Sequence, residues 1–165
     1  MQNNILFFIL FSTITIAKDH PPLKVTADEM TYNDKIKVST AIGKAVATFY
    51  NADGKQTLQA DSMTAHHSVD EVNGIDALHA KSTSNKQVFF QAPTLTVTAA
   101  TCNYAGKAQI IVCSGCVKVT DLKKKDTITG DKAIINMKTK EYSVESTDEH
   151  LSEAILHTGS ATPKT

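Results

Sequence analysis

The chain has 165 residues, and its 17 Lys and Arg balance 17 Asp and Glu, so no global field draws it to nucleic acid. That length supports one domain with a full core, and charge announces no partner. No Gly-x-Ser-x-Gly elbow, HExxH pair, phosphate loop or dinucleotide fingerprint occurs, which removes the enzyme classes those motifs define.

Residues 1–17 read as an export signal. Ile5 through Ala17 form a 13-residue apolar stretch, shorter than the roughly 20 residues that span a bilayer as a helix. Thr15 and Ala17 place small residues before a cleavage after Ala17. The alternative is an uncleaved membrane anchor. No cysteine stands at the boundary, which argues against a lipoprotein.

Residues 18–145 read as one all-β domain. Leu95-Thr96-Val97-Thr98-Ala99 alternates apolar with polar, and Val117-Lys118-Val119-Thr120 repeats the device. Segments 36–38, 88–90, 110–112 and 127–129 extend the pattern, which predicts about ten strands of about five residues. Turn residues fall between them at Asn33-Asp34, 51–54, Asn73-Gly74, Ser84-Asn85, Ala105-Gly106 and 122–126, the spacing of an antiparallel meander. Pro93 stands where one strand ends and another begins. Residues 146–165 differ in kind. Ser146 to Glu149 has the form of a capping box, and Leu151, Ala154 and Ile155 share one helical face, which predicts a short amphipathic helix ending near Gly159 and a flexible tail.

The domain is written twice. Sliding 25–43 by 72 positions onto 97–115 matches Val, Thr, Ala, Tyr32 with Tyr104, Lys35 with Lys107 and Gly43 with Gly115, six identities in 19 positions. A shift of 70 then lays Thr57 to Asp61 on Thr127 to Asp131. Such self-similarity implies stacked supersecondary units, each covering an apolar face its neighbour cannot leave wet. That organisation points to a scaffold or conduit rather than an enzyme. Asp28, Asp61 and Asp131 sit in the repeated phrases, as strand-end architecture requires, and a carboxylate pair for acid and base chemistry would not need duplication.

The repeated phrase is Val25-Thr-Ala-Asp28 with Tyr32, then Ala41-Ile-Gly43-Lys-Ala-Val46, then Leu58-Gln-Ala60-Asp61; its second copy is Leu95-Thr-Val-Thr-Ala99 with Tyr104, then Ser114-Gly115-Cys-Val117, then Ile128-Thr-Gly130-Asp131. These phrases, over residues 24–144, resemble the OstA-like (LptA) family of periplasmic lipopolysaccharide-transport proteins. The chain departs from the pattern at Ala100, where the first copy has Asp28, and at its cysteines. The resemblance implies an open, twisted antiparallel β-jellyroll, a β-taco of two repeated modules with an apolar trough, to which the C-terminal helix is added. It further implies a periplasmic bridge protein that binds lipopolysaccharide by its lipid A acyl chains and carries it from inner to outer membrane. LptC-like and outer-membrane LptD-like components would be its partners, with homo-oligomers formed head to tail by edge-strand pairing. Neither cofactor nor metal is expected. Two alternatives remain: an inner-membrane-anchored, LptC-like adaptor of the same fold, and an exported structural β module whose interior is merely core.

If the apolar parity faces the trough, the lipid-lining residues are Ile36, Val38, Leu58, Val88, Phe90, Leu95, Val97, Ile110, Val112, Val117, Val119 and Ile128. The Lys123 to Lys125 run is either a phosphate contact or a solvated hairpin tip. His66 and His67, with His79 and Asp61, suit a metal by type, but neighbours on a strand point to opposite faces. Cys102, Cys113 and Cys116 leave at least one thiol unpaired within the monomer, and Cys113 reaches Cys116 only if Gly115 bends the chain.

Overall fold

The computed structural model describes residues 23–51, 54–69, 74–83, 85–147 and 151–156, so the export segment lies outside them. Twelve strands form one antiparallel sheet: β1 (Lys24–Thr26), β2 (Glu29–Asn33), β3 (Val38–Asn51), β4 (Gly54–His67), β5 (Ile75–Lys81), β6 (Val88–Gln91), β7 (Leu95–Ala99), β8 (Thr101–Ala105), β9 (Ile110–Asp121), β10 (Thr127–Asn136), β11 (Glu141–Glu145) and β12 (Glu153–Ile155). The sequence led us to expect shorter, more uniform strands. β3 and β4 run for 14 residues each, β9 for 12 and β10 for 10.

Each long strand belongs to two leaves. The first half of β3 pairs with β2 and the second with β1. The two ends of β4 pair with β6 and β5, those of β9 with β8 and β7, and those of β10 with β12 and β11. One leaf therefore runs β2-β3-β4-β5-β8-β9-β10-β11, and the other β1-β3-β4-β6-β7-β9-β10-β12. Pairings within β1–β6 recur strand for strand within β7–β12, so the sequence duplication is a duplication of six-strand modules. The modules join through β5 with β8 and β6 with β7.

The leaves separate along one crease. Gly43 and Lys44 have φ of 78° and 46°, and the repeat-equivalent Gly115 and Cys116 have 85° and 47°. These left-handed pairs insert a bulge that bends β3 and β9, and only glycine occupies their first position without strain. The register shifts at the same level in β3 against β4 and in β9 against β10. A connection abuts each bend closely: the amide of Asp28 donates to the Gly43 carbonyl at 2.8 Å, and that of Ala100 to the Gly115 carbonyl at 3.0 Å.

Folding along the crease turns the apolar faces toward each other. Their buried residues form one cluster that includes Leu58, Phe90, Val97 and Val119 from one leaf and Met63, Leu78, Cys102 and Ile111 from the other. Parity is kept through the bends of β3 and β9 but flips in β4, where Gln56, Leu58 and Ala60 point inward before the bend and Met63 and Ala65 after it.

The expected C-terminal helix is absent from the described residues. Glu153 to Ile155 instead form β12, paired with Thr127 to Thr129. A helix of about two turns nucleates poorly, whereas the exposed end of β10 offers a ladder at once. β12 stands where β6 stands in the first module. Cys102 bonds to Cys113 across β8 and β9, leaving Cys116 exposed with a free thiol. Gly115 does bend the chain, but both partners of the bridge lie on interior positions directly opposite one another.

At Gly115, a Cβ would stand 2.8 Å from that of Ala100, on a backbone already at positive φ. Gly115→Ala should lower unfolding free energy by about 2 kcal/mol, read from denaturant midpoints.

Candidate functional site

The candidate site is the space between the leaves. Register decides its lining. Val25, Ala47, Leu58, Phe90, Val97, Val119, Ile128 and Ala154 are successive cross-strand partners and share the interior face of one leaf. On the other leaf the interior row is Met30, Ala41, Met63, Ala80, Cys102, Cys113 and Ala133.

Of the twelve residues chosen from sequence, Leu58, Val88, Phe90, Leu95, Val97, Val117 and Val119 are buried inside, and Ile128 is half-buried on the same face. Four lie elsewhere. Ile36 stands in the β2–β3 turn, 62% exposed. Val38 pairs with Asn33 and His66, while Ile110 and Val112 pair with Ala105 and Asn103, all on the outward parity. The uninterrupted run Ile110-Ile111-Val112-Cys113 gave no alternation to choose by. Its inward members are Ile111 and Cys113, opposite Tyr104 and Cys102.

Sequence reasoning missed the alanines. Nine of the 23 buried apolar residues among those described are Ala, including Ala41, Ala47, Ala80 and Ala133, which let the leaves approach closely. Phe90 and Leu58 have no accessible surface, so side chains fill the middle of the interior. Toward the β1–β2 edge it opens into an apolar cavity of about 200 Å³, with walls that include Val25, Met30, Met63, Ile75 and Leu78. His67 also lines that cavity; its imidazole bonds to the Ser39 hydroxyl and meets the Tyr32 ring edge-on. Between the leaves, the rings of Phe49 and Tyr104 meet edge to face at 5.0 Å, and burial raises the Tyr104 pKa.

The crease forms the closed side. Asp61 Oδ2 accepts from the Thr83 amide at 2.9 Å and the Thr83 hydroxyl at 2.8 Å, while Oδ1 accepts from Lys86 Nζ at 3.0 Å. Asp131 repeats the clasp on the amide and hydroxyl of Thr147, each at 2.9 Å. The bond from the Thr83 amide, followed by Lys86 and the Thr83 hydroxyl, lowers the Asp61 pKa to about 2.

The hairpins form the opposite rim. Lys123 and Lys124 donate their amides to Asp121 Oδ1, which makes this lysine run a capped turn. Those bonds, that of Lys124 first, lower the Asp121 pKa. The Tyr142 pKa is raised by burial and then by the charges of Asp121 and Asp126, which places β11 near the β9–β10 turn. His66, His67, His79 and Asp61 do not converge: His67 faces the cavity, His79 bonds to Asn103 outside, and Asp61 is tied at the crease. No group of three or more metal-type side chains occurs among the described residues.

A bent antiparallel sheet folded over an apolar interior, with two six-strand modules, defines an open, two-module β-jellyroll. The profile described as LptA/(LptD N-terminal domain) LPS transport protein matches residues 24–141, and the chain belongs to that family. Its fold is similar to that of LptH from Pseudomonas aeruginosa, described as the LptA-homologous periplasmic component of the lipopolysaccharide transport device. The TM-score is 0.69 at 15% identity, over 83% of this chain and 96% of that one. No curated protein matches the chain significantly.

Because the folded pKa of Asp61 lies below the usual carboxylate value, its clasp stabilises fully above about pH 4 and is lost as pH falls through about 2. Asp61→Asn should therefore melt below the wild type at pH 7, with the two curves converging toward pH 2 in thermal unfolding.

Proposed function

We propose that this chain is a periplasmic, non-enzymatic lipopolysaccharide-binding bridge that passes lipid from inner to outer membrane with its acyl chains between the leaves. The observation that carries this reading is the apolar interior, continuous with an apolar cavity at the β1–β2 end. Each methylene moved from water into such a space contributes about 0.8 kcal/mol. Because side chains fill the middle, acyl chains enter as the leaves part along the hairpin rim, where rings such as Phe49 and Tyr104 meet. The export-signal pattern of residues 1–17 and the periplasmic description of LptH support the compartment. LptC-like and LptD-like components are the partners expected at the two ends.

Head-to-tail association follows from the module junction. β11 and β12 are the counterparts of β5 and β6, and β1 and β2 are those of β7 and β8. A second copy would therefore continue both leaves by repeating the junction already made inside the chain. Met30 and Tyr32, 52% and 54% exposed, lie on the strand that would be covered. Carrying over the internal register opposes Tyr142 to Tyr32, Ser143 to Thr31 and Ala154 to Val25 of the next copy.

A photo-reactive phenylalanine analogue at Phe90 should capture lipopolysaccharide in cells, while one at outward Thr96 should not. No adduct at Phe90, in protein that is folded and exported, would favour the structural-module reading. For the assembly, a Cys116→Ser protein with Ser143→Cys and Thr31→Cys should form a ladder of disulfide-linked oligomers on oxidation. Ser143→Cys with Asn33→Cys should link poorly, and dimers that stop at two copies would indicate a closed interface instead.

A further inference from the structure

Gln56 lies on β4, two residues past the β3–β4 hairpin, with its side chain on the interior face opposite Phe49 and one inward step from Leu58. It is 5% exposed, and its Oε1 is buried with no hydrogen-bond donor among the described residues. The other such atom among the described residues, Ser68 Oγ, sits in the connection after β4. An amide oxygen buried without a donor is destabilising, so a polar residue kept at an otherwise apolar position calls for a partner from outside the chain.

We propose that Gln56 is a hydrogen-bonding subsite inside the apolar groove, which takes a hydroxyl or amide N–H carried close to the head-group end of a lipid acyl chain. This rests on the reading of the interior as a lipid site. The depth of Gln56 sets where that donor lies. From rim to crease the inward residues of β4 run Gln56, Leu58, Ala60, about 6.6 Å apart. A chain whose methyl end points to the crease meets Leu58 and Ala60 with its middle and Gln56 with its first few carbons. Phe49, across the strand from Gln56 and stacked edge-on with Tyr104, walls this level off from solvent and strengthens the bond.

Binding of tetradecanoate and of 3-hydroxytetradecanoate, followed by displacement of a fluorescent fatty acid from the full chain, tests the assignment. Wild-type protein should bind the hydroxy acid about tenfold more tightly. Gln56→Met, similar in shape but without the acceptor, should bind both acids equally, keep the wild-type affinity for tetradecanoate, and unfold at an equal or higher temperature. Equal binding of both acids by the wild type overturns the subsite while leaving the lipid groove intact. A preference that survives in Gln56→Met overturns it too. So does a fall in the variant's unfolding temperature, which would mean that Gln56 is satisfied within the protein. Failure of either acid to bind the wild type overturns the lipid reading and the subsite together.

Discussion

The bend at the crease is the constraint on which the molecule depends. A straight twelve-strand sheet would leave its apolar face in water, and no helix among the described residues lies against it. Bending β3, β4, β9 and β10 once each folds that face onto itself. At two of the bends a glycine enters the left-handed region and a second residue follows it there, at Gly43-Lys44 and Gly115-Cys116. At the other two a carboxylate ties the bent strand to the next crossing, Asp61 to Thr83 and Asp131 to Thr147. The same two devices occur in the same order in each module, so the crease is continuous across their junction.

Close approach of the leaves follows from small residues. Ala41, Ala45, Ala47, Ala60 and Ala65 line the first module where larger side chains would hold the leaves apart, and Leu58, Phe90 and Met63 fill what remains. In the second module the Cys102–Cys113 bridge occupies the place that Met30 and Ala41 hold in the first. A covalent link over an 11-residue separation stabilises by about 3 kcal/mol in the loop-closure account, and it also fixes which face of β9 turns inward. The first module lacks that lock and carries the apolar cavity instead. The two halves thus share one topology but differ in their interiors, bridged by a disulfide in the second and open to a cavity in the first.

A repeat that stacks by edge pairing has no built-in end. Within the chain β5 and β6 find β8 and β7; beyond it, β11 and β12 present the same ladder with no described strand against them. The helix expected at the C-terminus would have capped that edge. Its replacement by β12 extends the edge, and its sequence trace is slight: a shift of 64 positions lays Ser82-Thr83 on Ser146-Thr147, while Val88 to Gln91 share no residue with Ser152 to Ile155. The capping-box pattern at Ser146 to Glu149 prevailed in the sequence reading because helix signals are local, while the β10 partner lies about 25 residues away.

The sequence by itself determined the all-β class, the hairpin turns, the duplication and the family phrase, because alternation, turn chemistry and repeat spacing are written within a few residues of one another. It also determined part of the interior: Leu58, Leu95, Val97, Val117 and Val119 declare their face by strict alternation. Only the tertiary structure decided that four strands are long and bent, that Ile111 and Cys113 rather than Ile110 and Val112 turn inward, that Cys102 is the partner of Cys113, and that Gln56 is buried with an unmet acceptor. Each of these depends on cross-strand register. A one-residue slip reverses every side chain, and register is fixed by pairing between segments far apart in the chain.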